Sequence, residues 1–246
     1  MVGGTSHGRM PETAMVFAAG LGTRMRPITD KIPKPLIRIG GRTLLDRCLD
    51  RFAEAGVAKA VVNVHYLPEQ IIEQLKQRTS PRIVISDESD RLLDQGGGIR
   101  KAMHEIGDKP FFVCNTDAFW IEGPQDNLAA LAARWNPDIM DILLLVASTP
   151  HSIGVDWPGD FIMDTNGRLS KRPEQEVAPF VYTGIGIVKP ELFAHETREK
   201  FGLAEYFWAA ADRNRLYGQR LDGLWLHVGR PETIAEAEEA ITRSVE

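Results

Sequence analysis

Gly20, Gly22, Arg24 and Lys34 fall within one short stretch of this 246-residue chain, directly after the apolar run 14–18. Between residues 20 and 42 there are six basic residues (Arg24, Arg26, Lys31, Lys34, Arg38, Arg42) against one acid, Asp30, so this segment carries +5 while the rest carries −10. A charge run of that kind is ordinarily a solvated loop. The glycines change the reading, because without a Cβ the backbone N–H groups can close on phosphate oxygens. Pro27, Pro33 and Pro35 restrict the backbone around Lys34 and hold its ammonium near one place. The chemistry this suits is neutralisation of a polyanion. Two familiar phosphate loops fail on spacing. Gly20-Leu-Gly22-Thr-Arg-Met25 lacks the third glycine of the dinucleotide fingerprint, and no Gly-Lys-Ser or Gly-Lys-Thr closes a Walker loop.

Other polar residues stand where apolar stretches end. Asp117 follows the run 111–114, where a lone aspartate is either a turn or helix cap or a hard-oxygen ligand for Mg²⁺. Gln95 precedes Gly96, Gly97 and Gly98, which read either as a tight turn before a helix or as backbone amides that, with the Gln95 side chain, address a planar ligand. His65 and Tyr66 end another apolar run, where packing is the plainer role and contact with a substrate the sharper one.

The elements that must carry these residues follow from periodicity. Strands are predicted over 14–18, 59–64, 82–86 and 111–114, alternating with helices over 43–55, which Gly56 stops, 68–76, which Pro68 opens, and 99–106. That alternation is the pattern of βαβ units around a mostly parallel sheet, and ligands in such sheets sit beyond the carboxyl ends of the strands. In the second half, 141–147, 161–163 and 180–188 read as antiparallel additions. Residues 200–217 read as an aromatic-rich helix, and a final amphipathic helix follows Pro231 with Ile234, Ala237, Ala240 and Ile241 on one face. Residues 1–12 read as a flexible leader before a single domain over 13–246.

Composition narrows the function classes. The chain is 43% hydrophobic and 26% charged, with a net charge of −5, so neither nucleic acid nor an anionic membrane is an expected partner. Apolar runs such as 142–147 fall far short of the roughly 20 residues a membrane helix needs, and residues 1–10 lack the apolar core of a signal peptide. Cys48 and Cys114 match neither a disulfide framework nor a zinc spacing, which points to the cytoplasm.

The stretch Ala18-Ala-Gly-Leu-Gly-Thr-Arg-Met-Arg-Pro27 followed by Lys34-Pro35 resembles the G-x-G-T-R and P-K-P signature of sugar-1-phosphate nucleotidyltransferases. Asn63-Val-His65, Leu93-Asp-Gln-Gly-Gly-Gly-Ile99, Asn115-Thr-Asp117, Tyr182-Thr-Gly184 and Trp225-Leu-His-Val-Gly229 extend the likeness in order. It is strongest toward the short bacterial N-acetylmuramate 1-phosphate uridylyltransferases of cell-wall recycling, with mannose-1-phosphate guanylyltransferases next. The resemblance implies a Rossmann-like mixed α/β sheet flanked by helices, with a nucleotide-binding half over about 13–120 and a sugar-binding half over about 121–246. It implies a nucleoside triphosphate and a sugar 1-phosphate as partners, in a monomer or homodimer. Arg24, Lys34 and Asp117 would then be catalytic, Arg24 holding the β- and γ-phosphates and Asp117 binding Mg²⁺. Ala18, Ala19, Gly20, Gly22, Thr23, Gln95, Gly96 and Gly97 would hold the nucleotide, and Asn115, Asp160, Gly184, Glu88 and His65 the sugar. Trp157, Phe161, Tyr206, Phe207 and Trp208 are core, lid or sugar platform. The family's second metal-binding aspartate, in W-x-D-x-G, is replaced here by His227. That substitution leaves three roles for the imidazole: a softer ion such as Mn²⁺, a hydrogen bond to phosphate or to Asp117, or a part in a catalytically inactive nucleotide-binding regulator.

Overall fold

The structure is a computed structural model that describes residues 8–244. Most of the expected leader, residues 1–7, lies outside that range; of its remainder, Met10 packs half-buried on the core and Pro11 is buried. The chain forms β1 (Thr13–Phe17), a short hairpin of β2 (Arg38–Ile39) and β3 (Arg42–Thr43), α1 (Leu44–Glu54), β4 (Lys59–Val64), α2 (Pro68–Leu75), β5 (Arg82–Asp87), α3 (Asp94–Ile106), β6 (Phe111–Asn115) and β7 (Ala118–Glu122). There follow α4 (Asn127–Arg134), β8 (Ile142–Ser148), β9 (Phe161–Met163), β10 (Leu169–Lys171), β11 (Phe180–Val188), α5 (Ala204–Asp212), β12 (Leu216–Arg220), β13 (Gly223–His227) and α6 (Glu232–Ser244).

Nine strands make one mixed sheet. It runs β10-β9-β11-β6-β1-β4-β5, with β8 paired to β11 and β12 to β8. The pairs β6–β1, β1–β4, β4–β5 and β8–β12 are parallel, whereas β11 is antiparallel to β6, β8 and β9. Side chains alternate across this sheet as a pleat requires. Ala14, Val16, Phe112 and Cys114 face a core with α1, α2 and α4; Met15, Phe111 and Val113 face the other with α3 and α5. Helices therefore cover both faces. Local chemistry sets the helix ends: Thr43 caps α1 by accepting from the Asp46 N–H at 3.0 Å, and Gly56 at φ 78° stops it.

Two expectations need correction. The third helix begins at Asp94 rather than at residue 99, so the triple glycine lies inside it. Residues 200–217 are not one helix, since α5 ends at Asp212 and β12 follows. Sequence periodicity also missed β7 and β13, which pair with each other outside the main sheet and carry Trp120 against Trp225. A third apolar cluster, with Met25, Ile37, Ile39, Phe119, Leu226 and Val228, ties this pair to the basic loop.

Candidate active site

The basic loop leaves the end of β1 and is held from both sides. Asn63, at the end of β4, accepts from the Ala18 N–H at 2.8 Å and donates to Glu88 Oε1 at 2.8 Å. Gly22 adopts φ 64°, and a Cβ there would stand 3.0 Å from Thr29 and 3.1 Å from Lys34, so the turn admits no side chain without strain. Thr29 donates to the Gly22 carbonyl at 2.8 Å, and the Tyr66 hydroxyl donates to the Thr29 carbonyl at 2.8 Å. Lys34 sits between Pro33 and Pro35 at the start of a single helical turn, and Pro35 is buried. Its Nζ reaches Asp117 Oδ2 at 3.2 Å, with only 12% of the lysine side chain exposed.

Asp117 is the centre of the arrangement. His227 Nε2 lies 3.6 Å from the same Oδ2, an electrostatic approach rather than a hydrogen bond. The other ring nitrogen, Nδ1, is 3.3 Å from the Gly154 carbonyl, and the ring stacks on Trp225. Burial works to raise the Asp117 carboxyl. The neighbouring His227 and the Lys34 ammonium outweigh it and hold the group well below the usual carboxylate range.

Two cavities meet at this aspartate. The first, about 380 Å³, is lined by Ala19, Gly20, Gly22, Lys34, Gln95 and Lys200, among others. The second, about 280 Å³, is lined by Arg24, Trp157, Asp160, Tyr182, Gly184 and His227, among others. Asn115 and Asp117 line both. Asn115 accepts from Gln95 Nε2 at 2.7 Å. Asp160 accepts from Trp157 Nε1 at 3.1 Å and from the Tyr182 N–H at 2.9 Å; burial raises its carboxyl, against those two bonds. Gly184 has φ 91° at an irregularity in β11, and a Cβ there would stand 2.8 Å from the Asn115 Cβ.

Several expected placements differ. Ala18, Thr23, Gly96 and Gly97 line neither cavity. The Gly96 and Gly97 N–H groups donate to the Phe201 carbonyl at 3.0 and 3.2 Å, so they are not free for a base, and a Cβ on either would strike residues 199–201. Glycine is needed there for close packing. Arg24, expected to hold the β- and γ-phosphates, lines the second cavity and not the first, beside the Asn115 and Asp117 that line both. Glu88 lines the first cavity rather than joining Gly184, and is wholly buried. His65 lines neither: its Nδ1 meets the Glu88 carbonyl at 2.6 Å. Of the aromatics, Trp157 lines the second cavity, while Phe161 and Phe207 are core and Trp208 packs on Phe161. Sequence reasoning missed Lys200 and the Tyr182 hydroxyl. Lys200 sits in a charged stretch like any surface segment. The Tyr182 hydroxyl is buried without a hydrogen-bond partner among the described residues, a property only packing reveals.

The sequence matches the MobA-like NTP transferase domain over residues 14–184. It is 43% identical over 232 residues to an N-acetylmuramate alpha-1-phosphate uridylyltransferase of Caulobacter vibrioides, covering 93% of this chain and 96% of that protein. A protein of the same name from Neisseria meningitidis serogroup B is 33% identical over 237 residues, covering 92% and 96%. The fold overlays a UDP-glucose pyrophosphorylase crystallised with UDP-glucose at a TM-score of 0.76, over 96% of this chain and 100% of that one. At 18% identity this is a likeness of fold.

Proposed function

Because this chain belongs to the MobA-like NTP transferase domain family, we propose that it transfers a uridylyl group from UTP to N-acetylmuramate 1-phosphate in the cytoplasm and releases pyrophosphate. The observation that carries the proposal is the 3.2 Å contact between Lys34 and Asp117 at the wall two cavities share. One cavity suits the nucleotide and the other the sugar, so their phosphates meet at that wall. An oxygen of the sugar phosphate attacks the α-phosphorus, the bond from that phosphorus to the bridging oxygen breaks, and pyrophosphate departs.

The main barrier is repulsion between two polyanions. Lys34 meets it with a compact charge held in place before substrate arrives, and Arg24 offers a planar fork of donors from the sugar side. A divalent cation fits this donor set. With Oδ2 taken by Lys34, Asp117 Oδ1 is left as one hard oxygen, and among the described residues no group of three or more His, Cys, Asp or Glu side chains is arranged to hold a metal. Mg²⁺ is commonly held in this way, by one or two carboxylates with phosphate oxygens and water. When bound it would neutralise triphosphate charge beside Asp117. Mn²⁺ suits the same place if the His227 nitrogen joins.

Pyrophosphate release tests the reading directly, with UTP or GTP against N-acetylmuramate 1-phosphate or mannose 1-phosphate. The expected result is fastest release from UTP with N-acetylmuramate 1-phosphate. Fastest release from GTP with mannose 1-phosphate would reassign the substrate. No release from any pair would leave a nucleotide-binding regulator.

A further inference from the structure

A cavity of about 380 Å³ separate from the two described opens between α1 and the strands β6 and β7. It is lined by Arg42, Arg47 and Arg51, by the acids Asp50 and Glu54, and by both cysteines of the chain. Cys48 comes from α1 and Cys114 from β6, and their sulfurs are 2.8 Å apart with both thiols free. Cys48 is 7% exposed and Cys114 1%. The proposed transfer reaction uses neither. Yet Cys114 is joined to the active site through the next residue. Its thiol donates to the Asn115 carbonyl at 3.2 Å, and the Asn115 side chain lines both substrate cavities and accepts from Gln95.

We propose that Cys48 and Cys114 are a peroxide-sensitive thiol pair whose disulfide shifts Asn115 and slows the enzyme. A hydroperoxide is the class of oxidant that fits. The cavity far exceeds the roughly 30 Å³ that one water occupies in the liquid, so a molecule of that size reaches Cys48 without unfolding the protein. The Cys48 thiolate attacks one peroxide oxygen, the O–O bond breaks, and with hydrogen peroxide the second oxygen leaves as water after taking a proton, giving a sulfenic acid. The Cys114 sulfur then attacks the Cys48 sulfur. An S–S bond forms, the S–O bond breaks, and the hydroxyl leaves as a second water with the Cys114 proton. Two electrons pass from the thiols to the peroxide, and an added dithiol returns them. Joining helix to strand draws together two elements that otherwise only pack, and the strand end it pulls on carries Asn115 and leads to Asp117.

The test uses the full-length protein, reduced and then exposed to hydrogen peroxide. Remaining thiols are alkylated, and peptides are analysed by mass spectrometry without reduction. The expected result is a linked peptide pair joining Cys48 to Cys114, with turnover lowered roughly ten- to hundredfold and restored by dithiothreitol. Cys48→Ala and Cys114→Ala should each lose the link and keep their turnover after peroxide. Both thiols found alkylated after treatment would overturn the proposal, as would a link with unchanged turnover or a peroxide effect that persists in either variant. The turnover arm rests on the transfer reading, whereas the linked peptide is read without substrate. Absence of activity in the reduced protein would therefore count against that reading, and the peptide result would still decide the pairing.

Discussion

The two cavities that share Asn115 and Asp117 are built differently. The first is made largely at the ends of parallel strands, and most of its polar side chains are already paired: Asn63 with Glu88, Gln95 with Asn115, Lys34 with Asp117. The second is assembled from side chains on separate elements, the basic loop, β11, β13 and the loop before β9, and although Asp160 accepts two hydrogen bonds, two of its polar groups are uncommitted. The Tyr182 hydroxyl is buried without a partner, and Arg24 forms no ion pair among the described residues. Preorganised groups suit the part of a reaction that never varies, the triphosphate. Groups with spare hydrogen-bonding capacity suit the part that distinguishes one sugar from another.

Replacing Lys34 should have the largest effect. Lys34→Met keeps most of the unbranched side chain and removes the charge, and turnover should fall by about 10²–10³-fold, the cost of losing one preorganised electrostatic group. Pyrophosphate release at saturating substrates measures it. A change confined to KM for the sugar phosphate would break the assignment of Lys34 to the shared wall.

Arg24 sharpens the comparison. As a lining residue of the second cavity, its loss in Arg24→Ala should raise KM for the sugar phosphate by roughly ten- to hundredfold, the scale of one charged hydrogen bond, and leave KM for UTP near its original value. If the UTP value rises instead, the arginine serves the triphosphate.

Glu88 tests the first cavity in the free protein. Burial raises its carboxyl, against the hydrogen bonds from Asn63 and the Leu93 N–H, so its ionised form is disfavoured in the folded state. The wild type should therefore lose stability relative to Glu88→Gln as pH rises above the ordinary value of 4.5, with the whole penalty present once pH exceeds the raised value. Chemical denaturation of both proteins from pH 4.5 to 8 would show the difference, and a gap independent of pH would remove burial as its cause.

Much of the first cavity was legible because its signals are local. A strand followed by Gly20, Gly22 and a proline-flanked lysine specifies a phosphate-sized turn with few alternatives, and β1, β4 and β6 follow from largely apolar runs. The start of α3 was not legible, because three consecutive glycines are poor helix formers and only tertiary packing, the Phe201 carbonyl taking the Gly96 and Gly97 amides, overrides their propensity. The β7–β13 pair joins short segments far apart in the chain, and no local periodicity announces such a partner. For the same reason Lys200 and the hydroxyl of Tyr182, a residue noted only as part of a motif, were not expected at the site. What they can do depends on what folds against them.

Tyr182 carries the smallest expected effect and the finest test of the second cavity. Burial pushes its phenol well above the ordinary range, so at neutral pH the hydroxyl keeps its proton and can donate. In the free protein that donor has no partner among the described residues, so Tyr182→Phe should leave stability unchanged or raise it by up to about 1 kcal/mol. If the hydroxyl instead meets an acceptor on the sugar phosphate, the same variant should raise KM for that substrate roughly fivefold, with kcat and KM for UTP nearly constant, since a neutral hydrogen bond is worth about 1 kcal/mol. Thermal unfolding and steady-state kinetics on one preparation give both numbers. A destabilised variant with unaltered kinetics would mean that the hydroxyl serves the fold, and the contrast between a satisfied cavity and a receptive one would then rest on Arg24 alone.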